Sequence, residues 1–174
     1  MSTLADVTTA PLQDLLGNRT EINAVLAING AAAATVKTTN AISYVNNGIY
    51  LSKTALSAQS IAVTHYLNGT TANAGGFGTQ PIGTTVYYTL SLDGSGNVHV
   101  SQGDYLNQQL YMYDVGASAF GTGNVPLAPV GDTVFGLIKV VAVSAAFTPG
   151  TTALDNAGLT VTYFNLANLP ATNP

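Results

Sequence analysis

Cysteine and tryptophan are absent from the 174 residues, histidine occurs twice, and charge is scarce, with four Lys+Arg and eight Asp+Glu. Without cysteine the chain has no disulfide, no thiolate metal ligand and no cysteine nucleophile. Four cations spread from Arg19 to Lys139 cannot form the basic patch of electrostatic nucleic-acid binding. No run reaches the roughly 18 consecutive apolar residues of a membrane-spanning helix, so no membrane partner is expected. The first residues, to Arg19, lack the basic start and continuous apolar stretch of a secretory signal.

Charged residues make up 7% of the chain, against roughly 25% in a typical globular domain. What stands in their place is small and neutral: 24 Ala, 23 Thr, 18 Gly and 15 Asn. Disorder is excluded, because 47% of the residues are hydrophobic and the net charge is only −4. The composition argues against an enzyme without naming another role.

Periodicity divides the chain into an arm at 1–33, a body at 34–166 and a tail at 167–174. In the arm, Pro11 suits the first turn of a helix, and Leu12, Leu15 and Leu16 follow at helical spacing. A second short helix is expected over Thr20–Ala27, with Ile22, Val25 and Leu26 on one stripe. Neither piece is long enough to be stable alone in water. They dock either on the body of their own chain or on a neighbouring subunit. On the second reading, losing residues 1–30 weakens assembly more than it harms the body.

The body reads as short strands punctuated by Gly, Asn and Pro, giving a mainly β, antiparallel sandwich or jelly-roll-like domain. Asn47-Gly48 is a strong two-residue hairpin signal, and it pairs Val45 with Tyr50 and Tyr44 with Leu51. Over 85–100, a five-residue connection from Asp93 to Asn97 places Leu92 opposite Val98 and Leu90 opposite Val100. The two apolar rows then share one sheet face, with Ser91 and His99 on the other. A charge is therefore expected to block folding at Leu90 and to be tolerated at Ser91. A further run, Gln108–Val115, reads as a strand. Thr133–Val143 is apolar on both faces and reads as a central strand covered on both sides. Leu159–Leu166 is the last strand.

Few residue patterns carry chemistry. The Asp93–Asn97 loop alternates oxygen ligands as a calcium loop does, but lacks its closing acidic ligand and equally fits a plain hairpin connection. The Gly75-Gly76-Phe77-Gly78 run is glycine-rich without the Gly-Lys-Ser/Thr of a phosphate loop. His65 and His99 each sit in a strand pattern, without a nucleophile elbow or HExxH motif. The acids Asp93, Asp104, Asp114, Asp132 and Asp155 do not pair in sequence as a glycosidase requires. Tyr87, Tyr88, Tyr105, Tyr111 and Tyr113 cluster in sequence and offer rings for sugar stacking, although tyrosine is also favoured in strands generally. Lys139, in the most apolar strand, reads either as a gatekeeper or snorkelling lysine or as half of an ion pair across a subunit interface. No catalytic, cofactor-binding or metal-binding residue is assigned. The candidate assembly contacts are Leu12, Leu15, Leu16, Ile22, Val25, Leu26 and Lys139.

Three segments carry a resemblance: the Thr39-Asn40-Ala41-Ile42 opening with Tyr44, the Tyr87-Tyr88-x-Leu90-Ser91 strand with its glycine turn, and Gly136-Leu137-Ile138-Lys139-Val140 followed by Phe147-Thr148-Pro149-Gly150-Thr151-Thr152. Together, over about residues 32–166, they resemble small virion proteins of tailed bacteriophages. The resemblance implies a capsid decoration, or cement, protein. Such a protein binds the major capsid protein at symmetric positions on the virion surface, commonly as a homotrimer, and brings no catalytic residues; the lack of Cys, the two isolated His and the missing phosphate-loop lysine give the expectation of no cofactor. The alternative it implies is a tail or head-fibre component that binds host glycans or a receptor.

Overall fold

The structure is a computed structural model that describes residues 17–65, 78–103 and 125–166. Ten strands account for its regular structure: β1 (Arg19–Thr20), β2 (Leu26–Ile28), β3 (Thr35–Thr38), β4 (Ile42–Asn46), β5 (Ile49–Lys53), β6 (Gln59–Ser60), β7 (Thr84–Leu92), β8 (Val98–Gln102), β9 (Thr133–Ala142) and β10 (Leu159–Asn165). They form three antiparallel sheets, ordered β10-β9-β7-β8, β1-β4-β5 and β2-β3-β6. The mainly β, antiparallel character expected from periodicity is what the described residues show.

Turn chemistry sets the local registers. Asn47 and Gly48 have φ of 49° and 79°, the pair of positive values that a type I′ hairpin turn demands. The strands they join pair Val45 with Tyr50 and Tyr44 with Leu51, as the sequence predicts. In the second hairpin Leu92 faces Val98, Leu90 faces Val100 and Ser91 faces His99, again the predicted register. The core lies on the face of the four-stranded sheet that carries Val86, Tyr88, Leu90, Leu92 and Val100, closed over by Leu26, Val36, Ile42 and Tyr44 from the two smaller sheets.

β9 occupies the central place predicted for it, hydrogen-bonded to β7 on one side and β10 on the other. Its pairing with β7 slips between Leu90 and Ser91. The extra residue of such a bulge disturbs strict alternation, and Phe135 beside Gly136 lies in the core. A Cβ on Gly136 would sit 2.9 Å from Leu26 Cδ2. The missing side chain is what lets β2 close onto β9.

The helix expected over Thr20–Ala27 is not formed. Thr20 ends β1, where it pairs with Tyr44, and its hydroxyl donates to the Val134 carbonyl at 2.8 Å. Val25 has φ of 52°, outside the right-handed helical region. Leu26 opens β2, and its N–H donates to Asn165 Oδ1. Three apolar residues at helical spacing were outweighed by backbone pairing with distant strands. A truncation that spares these two strands must stop before Arg19, so removal of residues 1–30 takes away part of the sheets as well. The helix expected around Leu12, Leu15 and Leu16, the Gln108–Val115 strand and the 167–174 tail lie outside the described residues.

Candidate functional site

β7 is buried along its whole length, on both faces. The face away from the core carries Thr85, Tyr87, Thr89 and Ser91, joined by Ser101 from β8 and Leu137 from β9, all buried. Part of the cover is the 125–132 segment, where the Pro126 carbonyl accepts the Thr89 hydroxyl at 2.9 Å. That segment also delivers Asp132, the acid around which the only convergent ionisable cluster of the described residues is built.

Asp132 is held by its own backbone. Its N–H donates to the Pro129 carbonyl, and its carbonyl accepts Asn18 Nδ2 at 3.1 Å. The Gly131 carbonyl next to it accepts both Asn18 Nδ2 and Asn46 Nδ2, at 2.9 and 2.6 Å. The asparagines thus tie the turn before β9 to the end of β4. So fixed, the Asp132 carboxylate, with a side chain 5% exposed, takes two donors on one oxygen: Ser91 Oγ at 2.7 Å and His99 Nδ1 at 2.8 Å. The His65 ring lies edge-on to the His99 ring, with centroids 4.7 Å apart. Burial, then the neighbouring His99, push the His65 pKa below its ordinary value, and Asp132 opposes them only in part. On the far side, His65 Nδ1 meets Thr64 Oγ1 at 2.9 Å.

Serine, histidine and aspartate are therefore together, but wired differently from a hydrolytic relay. In that relay the serine hydroxyl gives its proton to an imidazole that the acid orients. Here Ser91 and His99 both end on the same carboxylate oxygen, so the serine proton is delivered to the acid. The arrangement clamps three elements around one buried charge. Sequence distance hid it, since Asp132 lies 33 residues from His99 and 41 from Ser91.

The remaining candidates are placed apart. Asp93 Oδ1 accepts the N–H groups of Ser95 and Asn97, and Oδ2 accepts Asn97 Nδ2, so both oxygens serve the hairpin loop itself. Desolvation raises the Asp93 pKa, but those hydrogen bonds together with His99 outweigh it and hold the carboxyl below its usual range. Among the described residues no group of three or more His, Asp or Glu is arranged to hold a metal ion, and no helix is long and apolar enough to cross a membrane. Lys139 is half-buried opposite Tyr87, its ammonium 5.8 Å from the ring centroid. Tyr87 and Tyr88 are buried and offer no face to a sugar. Tyr105, Tyr111 and Tyr113 lie outside the described residues, as do Gly75, Gly76, Phe77, Asp104 and Asp114. Of the assembly candidates, Ile22 and Val25 are exposed and Leu26 is in the core. No protein-family profile, curated protein or solved structure is detectably similar to this chain.

Proposed function

We propose that the chain is a structural subunit of a larger protein assembly, and specifically a decoration protein on the capsid of a tailed phage, acting as a homotrimer. The observation that carries the reading is the combination of scarce charge with large apolar side chains left in solvent. Ile49 and Tyr50 on β5 are 63% and 64% exposed, Leu127 is 68% exposed and Val130 fully so, while charged residues are only 7% of the sequence. Scattered exposed apolar residues are ordinary. Here Ile49 and Val130 flank the linked Asn47 and Gly131 turns, in which Asn18 donates to the Gly131 carbonyl and accepts the Asn47 N–H. β5 is also paired on one side only, by β4, among the described residues. An open edge beside apolar side chains is the kind of surface that proteins either protect or use. The resemblance to tailed-phage virion proteins supplies the capsid location and the trimer. A protein that binds only the assembled shell stabilises it by mass action.

The test is sedimentation and native mass spectrometry of the purified chain with and without capsids, followed by electron microscopy of the particle. A trimer that adds to the shell in hundreds of copies supports the reading, and a few copies at one vertex moves the protein to the tail or head fibre. A monodisperse monomer without affinity for the particle overturns it.

A further inference from the structure

We infer that the contact between His65 and His99 is an acid-sensitive latch, which holds Thr64 and His65 against β8 at neutral pH and releases them as the medium becomes acidic, while Ile61 stays anchored in the core. The inference is independent of the assembly reading.

The latch rests on geometry. The 61–65 segment is not part of a regular strand pairing. It joins β8 through a short seam in which the N–H groups of Thr64 and His65 both reach the Val100 carbonyl, at 2.9 and 3.0 Å, and the Gln102 N–H reaches the His65 carbonyl at 3.3 Å. The Val100 N–H is satisfied by the Thr64 hydroxyl at 2.8 Å, a side chain rather than a backbone partner. His65 and Ser101 form a single parallel bridge, which puts their side chains on one face beside His99. The seam thus consists of three backbone bonds and the contacts of one hydroxyl. The side-chain contact that fastens it on this face, among the described residues, is one imidazole against another.

Charge balance at that contact is unequal. Among the described residues the ionisable groups facing His65 are His99 from β8 and Asp132 from the turn before β9, and the Thr64 hydroxyl adds a neutral partner. Asp93, at the end of the hairpin, interacts with His99 and is turned into its own loop. His99 holds the hydrogen bond to the buried Asp132 carboxylate, so a proton on His65 is placed against the His99 ring without a carboxylate in hydrogen-bond contact with it among the described residues. Burial and His99 disfavour that protonated form. A histidine protonated more readily when released than when folded drives release as pH falls below its ordinary value of 6.5. Above that value both states are neutral at His65 and the latch is intact.

Hydrogen exchange of the full chain at pH 7.5 and 5.0, corrected for the intrinsic pH dependence of exchange, tests the proposal. The amides of Thr64, His65 and Gln102 are expected to exchange at least tenfold faster at the lower pH, with the β4–β5 hairpin unchanged. In His65→Phe, which keeps a ring but cannot titrate, the acid effect should vanish. An equal acid effect in that variant, or none in the unmodified chain, overturns the proposal. Should His65→Phe not fold, the imidazole resonances of the unmodified protein decide: His65 titrating below an ordinary histidine supports the latch, and titrating at or above it overturns it.

Discussion

The two faces of β7 are buried alike and built from opposite chemistry. One presents Val86, Tyr88, Leu90 and Leu92 to the core; the other carries Thr85, Tyr87, Thr89 and Ser91, of which Thr89 and Ser91 are bonded to the 125–132 segment. On the core face, stability comes from apolar area, which is non-directional and forgiving of shape-conserving change. On the hydroxyl face each polar atom needs its own partner, because an unmade hydrogen bond in a buried site costs about 1–3 kcal/mol. The first face holds the fold together, whereas the second fixes where the covering segment and Asp132 must lie.

The contrast can be broken by substitution. Leu90→Asp places an unpaired charge in the core and should abolish cooperative unfolding in urea, with circular dichroism of an unfolded chain. Ser91→Asp should come next, because it sets a second carboxylate against Asp132 in a buried site. A loss of several kcal/mol is expected, on the order of other uncompensated buried charges. Urea denaturation indistinguishable from the parent protein would mean that the hydroxyl face opens to water. Acidification should act more gently. The lowered His65 pKa means that the unfolded chain binds more protons below pH 6.5, so stability should rise with pH up to that value and level off above it. A series of urea midpoints from pH 5 to 7.5 measures the slope. The smallest effect belongs to Ser101→Ala. The Ser101 hydroxyl is buried on the same face without a hydrogen-bond partner among the described residues, so its removal should leave stability within about 0.5 kcal/mol or raise it.

The same contrast shows what was legible in the sequence. Both hairpin registers were, because Asn47-Gly48 demands one turn type and because the five-residue Asp93–Asn97 connection sets an alignment in which Leu90, Leu92, Val98 and Val100 share a face. The central place of β9 was legible from its apolar residues on both faces. The fate of Ser91 was not. Alternation of apolar and hydroxyl residues looks the same whether the hydroxyl face meets water or a loop that arrives from Pro126 and Asp132, so the expected tolerance of a charge there does not follow. The failed helix at Thr20–Ala27 has a related cause. Its periodicity is local, while Thr20 and Leu26 are claimed by Val134 and Asn165. The Asp132 clamp was hidden for the same reason: no short motif contains it.

The long span between Leu26 and Asn165, 139 residues, has a consequence for biosynthesis. At about 5–20 residues per second, a ribosome needs roughly 7–30 s to travel that distance. During that interval β1 and β2 can pair with β4 and β3, but their contacts with Val134 on β9 and Asn165 on β10 wait for those strands to be made. Nascent chains thus carry the Ala24 and Leu26 side chains, buried in the finished fold, without their β9 and β10 cover until those strands have been made. A chaperone that grips short apolar segments should therefore find the stretch around Leu26 early and release it late.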